Sequence, residues 1–155
     1  MAIIRFEGIV GDNKDAEIPD GYRDLNWKNV WAIDDELLEN ANFANAIHSG
    51  EAAAYNILAD PIGIKSPDRN DDFDLNSGYF TAAFLNDLKV TVIGFDDGER
   101  VARKVFTLDT SQEFVTFGPK FDDIDKVMIQ ARGSPDPGDI SSPQIVVVDD
   151  LFLNF

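Results

Sequence analysis

The second half of the chain alternates apolar and polar residues in short runs set apart by turn-forming residues. Leu88 to Phe95 (L-K-V-T-V-I-G-F) is one such run, and Arg100 to Leu108 (R-V-A-R-K-V-F-T-L) is the next. Successive side chains of a strand point to opposite faces, so this period predicts strands with one buried face. Asp96-Asp97-Gly98 between them is a hairpin turn of the Asp-Gly kind. Phe73 to Phe84 predicts an earlier strand with an irregularity at Gly78. Glu113 to Phe117 follows the Asp109-Thr110-Ser111 turn, and Ile124 to Ala131 sets Val127, Ile129 and Ala131 against Lys126, Met128 and Gln130. Gly133 to Pro143, with three prolines and two glycines, predicts a loop. In the closing run, Gln144 to Phe155, Ile145, Val147, Leu151, Leu153 and Phe155 share one face at period two, and Asp149 falls among them.

The first half is less regular. Ile3 to Glu7 predicts a first strand, Gly11 to Tyr22 a polar connection, and Leu25 to Ile33 a strand with Leu25, Trp27 and Trp31 on one face. Asp34 to Ala46 reads as a short helix or an irregular excursion, and Ala52 to Leu58 as a strand. Many short strands with turns at such intervals make an antiparallel sandwich or barrel. The predicted fold is therefore all-β, an antiparallel two-sheet β-sandwich of jelly-roll type with at most one short helix. Residues 1–155 are expected to form a single domain, with both chain ends in strands at one edge.

Composition narrows the function. The chain has 29 acidic and 13 basic residues, a net charge of −16. That field disfavours nucleic acid and anionic membrane surfaces as partners and favours cations. The absence of cysteine excludes disulfides, thiol catalysis and thiolate zinc sites. No apolar run reaches the roughly 18 residues of a membrane span. Met1 to Glu7 has no signal-peptide pattern, its apolar stretch being too short and an acid following at once.

Asp149 is the first candidate for chemistry. A carboxylate in the middle of an apolar face is costly unless neutralised, and a bound cation does this. If the first and last strands of the sandwich lie close, Glu7 and Asp149 hold one calcium between them. Backbone carbonyls near Gly8 to Asp12, with Asp20 or Asp24, would complete the six to eight oxygens that calcium takes. The acidic stretch Asp68 to Asp74 fails as an EF-hand loop: counted from Asp72, Ser77 and Ala83 stand where the glycine and the bidentate acid belong. The single histidine, His48, has Ser49 beside it, but adjacent side chains seldom face each other, so the two make no triad. It reads as a surface or structural residue. No catalytic constellation stands out, and no enzyme activity is expected. Tyr22, Trp27, Trp31, Tyr55 and Tyr79 are aromatics able to stack on sugar rings. Trp27, flanked by Leu25 and Val30, reads as core; Trp31 and Tyr22 read equally as core or as ligand contacts.

Ile18-Pro19-Asp20-Gly21-Tyr22-Arg23-Asp24-Leu25-Asn26-Trp27-Lys28-Asn29 resembles an I-P-x-G-Y-x-x-L-x-W-x-N segment found in bacterial secreted domains. Phe6-Glu7, Ser49 to Asn56, Phe73 to Tyr79 and Asp149-Asp150-Leu151 match further segments of that group in order. The group resembles jelly-roll, galactose-binding-like sandwiches that include many carbohydrate-binding modules. The resemblance implies a non-catalytic, calcium-stabilised, lectin-like module, extracellular or at the cell surface, with carbohydrate as partner and structural calcium on Glu7 and Asp149. The alternative is a secreted adhesive or matrix-structural protein acting through its acidic surface and divalent cations. No evident strand carries a row of exposed aromatics, so the ligand is expected on loops, at Tyr22, Trp31 and Asp34.

Overall fold

The computed structural model describes residues 2–10, 15–34, 48, 50, 52–56, 60–68, 71–83, 85–132 and 144–155. Twelve strands lie among them: β1 (Ala2–Ile4), β2 (Asp15–Glu17), β3 (Asn26–Lys28), β4 (Val30–Asp34), β5 (Ala52–Asn56), β6 (Ile62–Lys65), β7 (Asp74–Ala82), β8 (Leu88–Asp96), β9 (Glu99–Leu108), β10 (Glu113–Thr116), β11 (Lys126–Arg132) and β12 (Val146–Asn154). Helical structure among the described residues is limited to 3-10 turns at Tyr22–Asp24 and Pro119–Phe121. The strands form two antiparallel sheets, as the alternation predicts. One has seven strands in the order β10-β7-β12-β5-β4-β2, with β1 on the far half of β12, and the other has five in the order β3-β6-β11-β8-β9.

Between the sheets lies the main core, to which the inward halves of the alternating runs contribute. Val90 and Val92 of β8, Val127 and Ile129 of β11, Phe80 and Ala82 of β7, and Val146 and Val148 of β12 are all buried there. Phe80 meets Phe106 and Phe117 edge-on at 5.4 and 5.9 Å, the offset geometry that aromatic quadrupoles favour. The Asp97-Gly98 turn takes positive φ at both residues, as a tight hairpin requires. At the opposite edge the Lys104 ammonium donates to the Thr116 carbonyl at 2.6 Å, tying β9 of one sheet to β10 of the other.

Four expectations change. The run Leu25 to Ile33 is not one strand but two, β3 and β4, in opposite sheets. The chain switches sheets at Asn29, which adopts φ 59° and donates from its side-chain amide to the Pro61 carbonyl at 3.1 Å. Trp27 therefore points into the core while Trp31, four residues on, lies on the outer side of the seven-stranded sheet. The polar connection Gly11 to Tyr22 contains a strand, β2, paired with β4. The chain ends are neighbours, Ala2 to Ile4 pairing with Leu153 to Leu151, but β12 runs through the middle of its sheet rather than along an edge. Finally, β12 does not keep one apolar face. Val146 and Val148 face the main core, Ile145 and Val147 a second buried cluster with Ile33, Ala53 and Ala83, and Leu151 and Leu153 the main core again. Asp150, at φ 44°, is the extra residue that shifts the parity, and the register with β7 slips there. The predicted loop Gly133 to Pro143 and most of Asp34 to Ala46 lie outside the described residues, as do 57–58 of the predicted strand Ala52 to Leu58.

Candidate functional site

The bulge in β12 organises the first region of interest. Asp149 is fully buried, and its two carboxylate oxygens accept the backbone N–H groups of His48 and of Asp150, both at 2.8 Å. The carboxylate of Asp150, itself 4% exposed, meets His48 Nδ1 at 2.7 Å and lies 3.7 Å from Arg5 Nε. Glu7, just past β1, accepts the Ala52 N–H at 3.3 Å. Gly50, at φ 69°, leaves room for it, because a β-carbon there would collide with the Glu7 carboxylate. Glu7 and Asp149 thus both bond to the 48–52 stretch, one at each end. Their oxygens are the hard donors that calcium takes.

Around this corner lies an aromatic surface. The His48 imidazole stacks on the Tyr79 ring, with centroids 3.5 Å apart and planes 13° from parallel. Tyr79 is 5.0 Å from Phe114, and Phe114 meets Phe152 edge-on at 6.4 Å. Phe114 is 54% exposed. These rings come from β7, β10 and β12, whose register sets Phe114 opposite Tyr79 and Tyr79 opposite Asp149. All three point outward, because Phe80, Val115 and Leu151 beside them point into the core. The resulting patch sets mutually inclined aromatic rings beside a histidine and a guanidinium, groups that orient hydroxyls, with the carboxylate between them buried.

The predicted ligand residues do not come together. Tyr22 packs with Phe6 and Trp27 at the end of the main core, and its hydroxyl donates to the Glu7 carbonyl at 3.4 Å. The I-P-x-G-Y-x-x-L-x-W-x-N segment serves the fold. Gly21 takes φ 90°, Asp20 accepts the Trp27 N–H at 3.0 Å, and the Trp27 indole donates to the Tyr22 carbonyl at 2.9 Å. Trp31 and Asp34 lie in a strand, not in loops. On the outer face Trp31 stands between Tyr55 of β5 and Glu17 of β2. Asp15 accepts the Tyr55 hydroxyl; burial first, then the Asp15 charge and this bond, hold the phenol above its ordinary pKa of 10.0. This second aromatic group is separated from the Phe114 patch by the buried Val147 and Ala53.

A third region lies at the end of the five-stranded sheet. Carboxylate oxygens of Asp72, Asp96 and Asp125 lie within 4.8 Å of one another, a group that could hold a metal ion. Asp125 is buried and accepts the Asp97 N–H at 3.1 Å. Partial desolvation, then neighbouring charges (Asp96 and Asp125 around Asp72, Asp97 and Asp125 around Asp96), push both Asp72 and Asp96 above the ordinary carboxylate range. An open cleft of about 350 Å³ adjoins this group, lined by Lys65, Phe95, Asp97, Gly98, Asp125 and Lys126.

Sequence reasoning missed the Phe114 patch and the Asp72–Asp96–Asp125 group. The aromatics are one per strand, on strands distant in sequence, so no single run shows them as a row. The three aspartates come from a loop, a strand end and the residue before β11. The signals present were Tyr79 among the aromatics, Asp72 in the acidic stretch Asp68 to Asp74, and the pair Asp149-Asp150, two acids adjoining within an apolar strand.

No family model matches the chain, and no curated protein matches it. Among solved structures, a DUF4465 family protein from Bacteroides caccae is similar over 98% of this chain and 97% of its own, at 13% identity and a TM-score of 0.66. TmCBM61, solved in complex with beta-1,4-galactotriose, covers 87% of this chain and 93% of its own at 12% identity, with a TM-score of 0.46. At such identities the likeness to the DUF4465 protein extends to the fold: a two-sheet β-sandwich along nearly the whole chain.

Proposed function

We propose that the chain is a single-domain, non-catalytic carbohydrate-binding module, acting outside the cell or at its surface, with its ligand on the outer face of the seven-stranded sheet. The observation that carries this reading is Phe114, an aromatic ring 54% exposed and braced by Tyr79 and Phe152. A pyranose presents an apolar C–H face that such a ring covers, while His48 and Arg5, held from below by the buried Asp150, bond the hydroxyls at its rim. Trp31 on the same face, flanked by Glu17, is a second stacking position; Tyr22, packed at the end of the main core, and Asp34, in β4, stand apart from both. Calcium is structural in this reading, held by Glu7 and Asp149 where the first and last strands meet, with a second cation on Asp72, Asp96 and Asp125. Probing a glycan array with the full chain tests the function. Retention of a defined glycan, competed by the free sugar, is expected; an array with no retained glycan overturns it.

The acidic group at Asp72, Asp96 and Asp125 favours a second reading, a matrix or adhesive protein that associates through divalent cations. Light scattering that shows calcium-dependent assembly, with an empty array, would select it over the lectin-like one.

A further inference from the structure

The outer face of the five-stranded sheet has a charge opposite to that of the rest of the molecule. Strand register builds it in rows. Asn26, Lys65, Lys126, Phe95 and Arg100 stand side by side, and so do Lys28, Gly63, Met128, Ile93 and Arg103. Two rows further on, Arg132 stands beside Lys89. The alternate residues Trp27, Ile64, Val127 and Val92 fill the core, so these side chains point outward. Seven of the chain's 13 lysines and arginines thus occupy one face of a protein whose net charge is −16. No aspartate or glutamate enters those rows before the β8–β9 hairpin tip. Among the described residues, none of the seven makes an ion pair.

The face is also grooved. Gly63 has no side chain beside Lys28, and an open groove of about 210 Å³ runs over it, lined by Lys28, Asn29, Pro61, Gly63, Lys126 and Met128. Lys126 also lines the cleft of about 350 Å³ at Lys65 and Phe95, whose far side carries Asp97 and Asp125. The Lys126 ammonium lies 5.3 Å over the Phe95 ring, which fixes a cation beside an apolar surface.

We infer that this basic face, with its groove over Gly63, binds an acidic polysaccharide, a polyuronate that presents one carboxylate per sugar residue. Charge complementarity is local: neighbouring strands lie about 4.8 Å apart, which places Lys65 and Lys126 side by side to meet successive carboxylates. Met128, Ile93 and Phe95 between the cations cover the C–H faces of the sugars. Nucleic acid fits less well. It carries a charge every ~1.7 Å along its axis, and the acidic remainder of the surface repels so dense a polyanion within the Debye length of about 8–10 Å. A second copy of the chain is repelled by the same net charge. This surface lies opposite the Phe114 patch and stands or falls independently of it.

The test is affinity electrophoresis of the full chain through gels holding polygalacturonate, with neutral galactan gels for comparison and chelator throughout to keep the acidic cluster free of cations. Retardation by polygalacturonate alone is expected, fading as salt rises. Lys65→Glu with Lys126→Glu should weaken it at least about tenfold, as should Lys28→Gln with Arg103→Gln, while Lys120→Gln, an exposed cation in the Pro119–Phe121 turn and outside these rows, leaves it unchanged. All these side chains are at the surface, and thermal melts confirm that each variant is folded. Absence of retardation, or retardation of either double variant as strong as the parent's, overturns the inference. So does equal retardation by galactan or by single-stranded DNA, which would show a surface reading sugar alone or charge alone. Light scattering that finds a dimer broken by the double variants would assign the face to self-association instead.

Discussion

Phe114→Ala separates a binding surface from a packing surface. The ring is 54% exposed, so a little under half of its area is withdrawn from water. With ~150–200 Å² for a phenylalanine and about 25 cal/mol per Å², the truncation costs at most about 2 kcal/mol of stability. Phe80, on the next strand and fully buried between Phe106 and Phe117, should cost about 3–5 kcal/mol when replaced by alanine, because it leaves a cavity. Binding orders the two the other way. If Phe114 is the stacking anchor, its loss removes about 2 kcal/mol of affinity, a drop of about thirtyfold. Urea denaturation gives the stability of both variants, and calorimetry with a glycan retained on the array gives the affinity of Phe114→Ala. The reasoning fails if Phe114→Ala destabilises as much as Phe80→Ala, or if it stays stable and binds as well as the parent.

Three further outcomes follow from the geometry. Asp149→Ala strands the buried N–H of Asp150, at about 1–3 kcal/mol, frees the partly buried N–H of His48, and should shrink the lowering of the melting temperature by chelator to what the Asp72–Asp96–Asp125 site accounts for; a variant that keeps the parent's full chelator response removes calcium from Glu7 and Asp149. The Tyr55 phenol should titrate above 10.0 in an ultraviolet pH titration, and Asp15→Asn should lower it. Its folded pKa lies above the unfolded one, so its contribution is full below the unfolded pKa and lost as the pH rises through the folded value. An unshifted phenol contradicts the Asp15 contact. Asp72 and Asp96 are raised in the same sense, so the fold binds more protons there than the unfolded chain does, and their mutual repulsion grows as the pH rises through the raised values. Calcium should therefore raise the melting temperature most at neutral pH and least at acidic pH, and Asp96→Asn should flatten that dependence; a calcium effect that is constant with pH counts against this cation site.

The parts of the fold that the sequence made legible are those where one physical rule acts alone. Alternation at Leu88 to Leu108 gave β8 and β9, and Asp97-Gly98 gave their turn. The failures come where two rules compete. At Leu25 to Ile33 the apolar pattern continues through Asn29, but a left-handed residue there turns the chain into the other sheet. In β12 the alternation is genuine on both sides of Asp150, and one inserted residue reverses its sense. A search for periodicity absorbs such an insertion and misassigns every side chain beyond it.

The site was less legible still. Tyr22 and Trp27, the most distinctive aromatics of the matched segment, hold a turn together and leave little for a ligand. Phe114 sits in an unremarkable four-residue strand, and its partners Tyr79 and Phe152 are far away in sequence. His48 drew a structural reading because no base or acid adjoins it in the chain; its partners Asp150 and Tyr79 are brought by the sheet.

The most direct test of a ligand on the sheet face is residue-resolved NMR during titration with a glycan that the array retains. The account predicts that resonances of His48, Tyr79, Phe114 and Phe152 shift together and saturate at one stoichiometry. Shifts confined to the turn around Tyr22, with Phe114 unmoved at saturation, would contradict it.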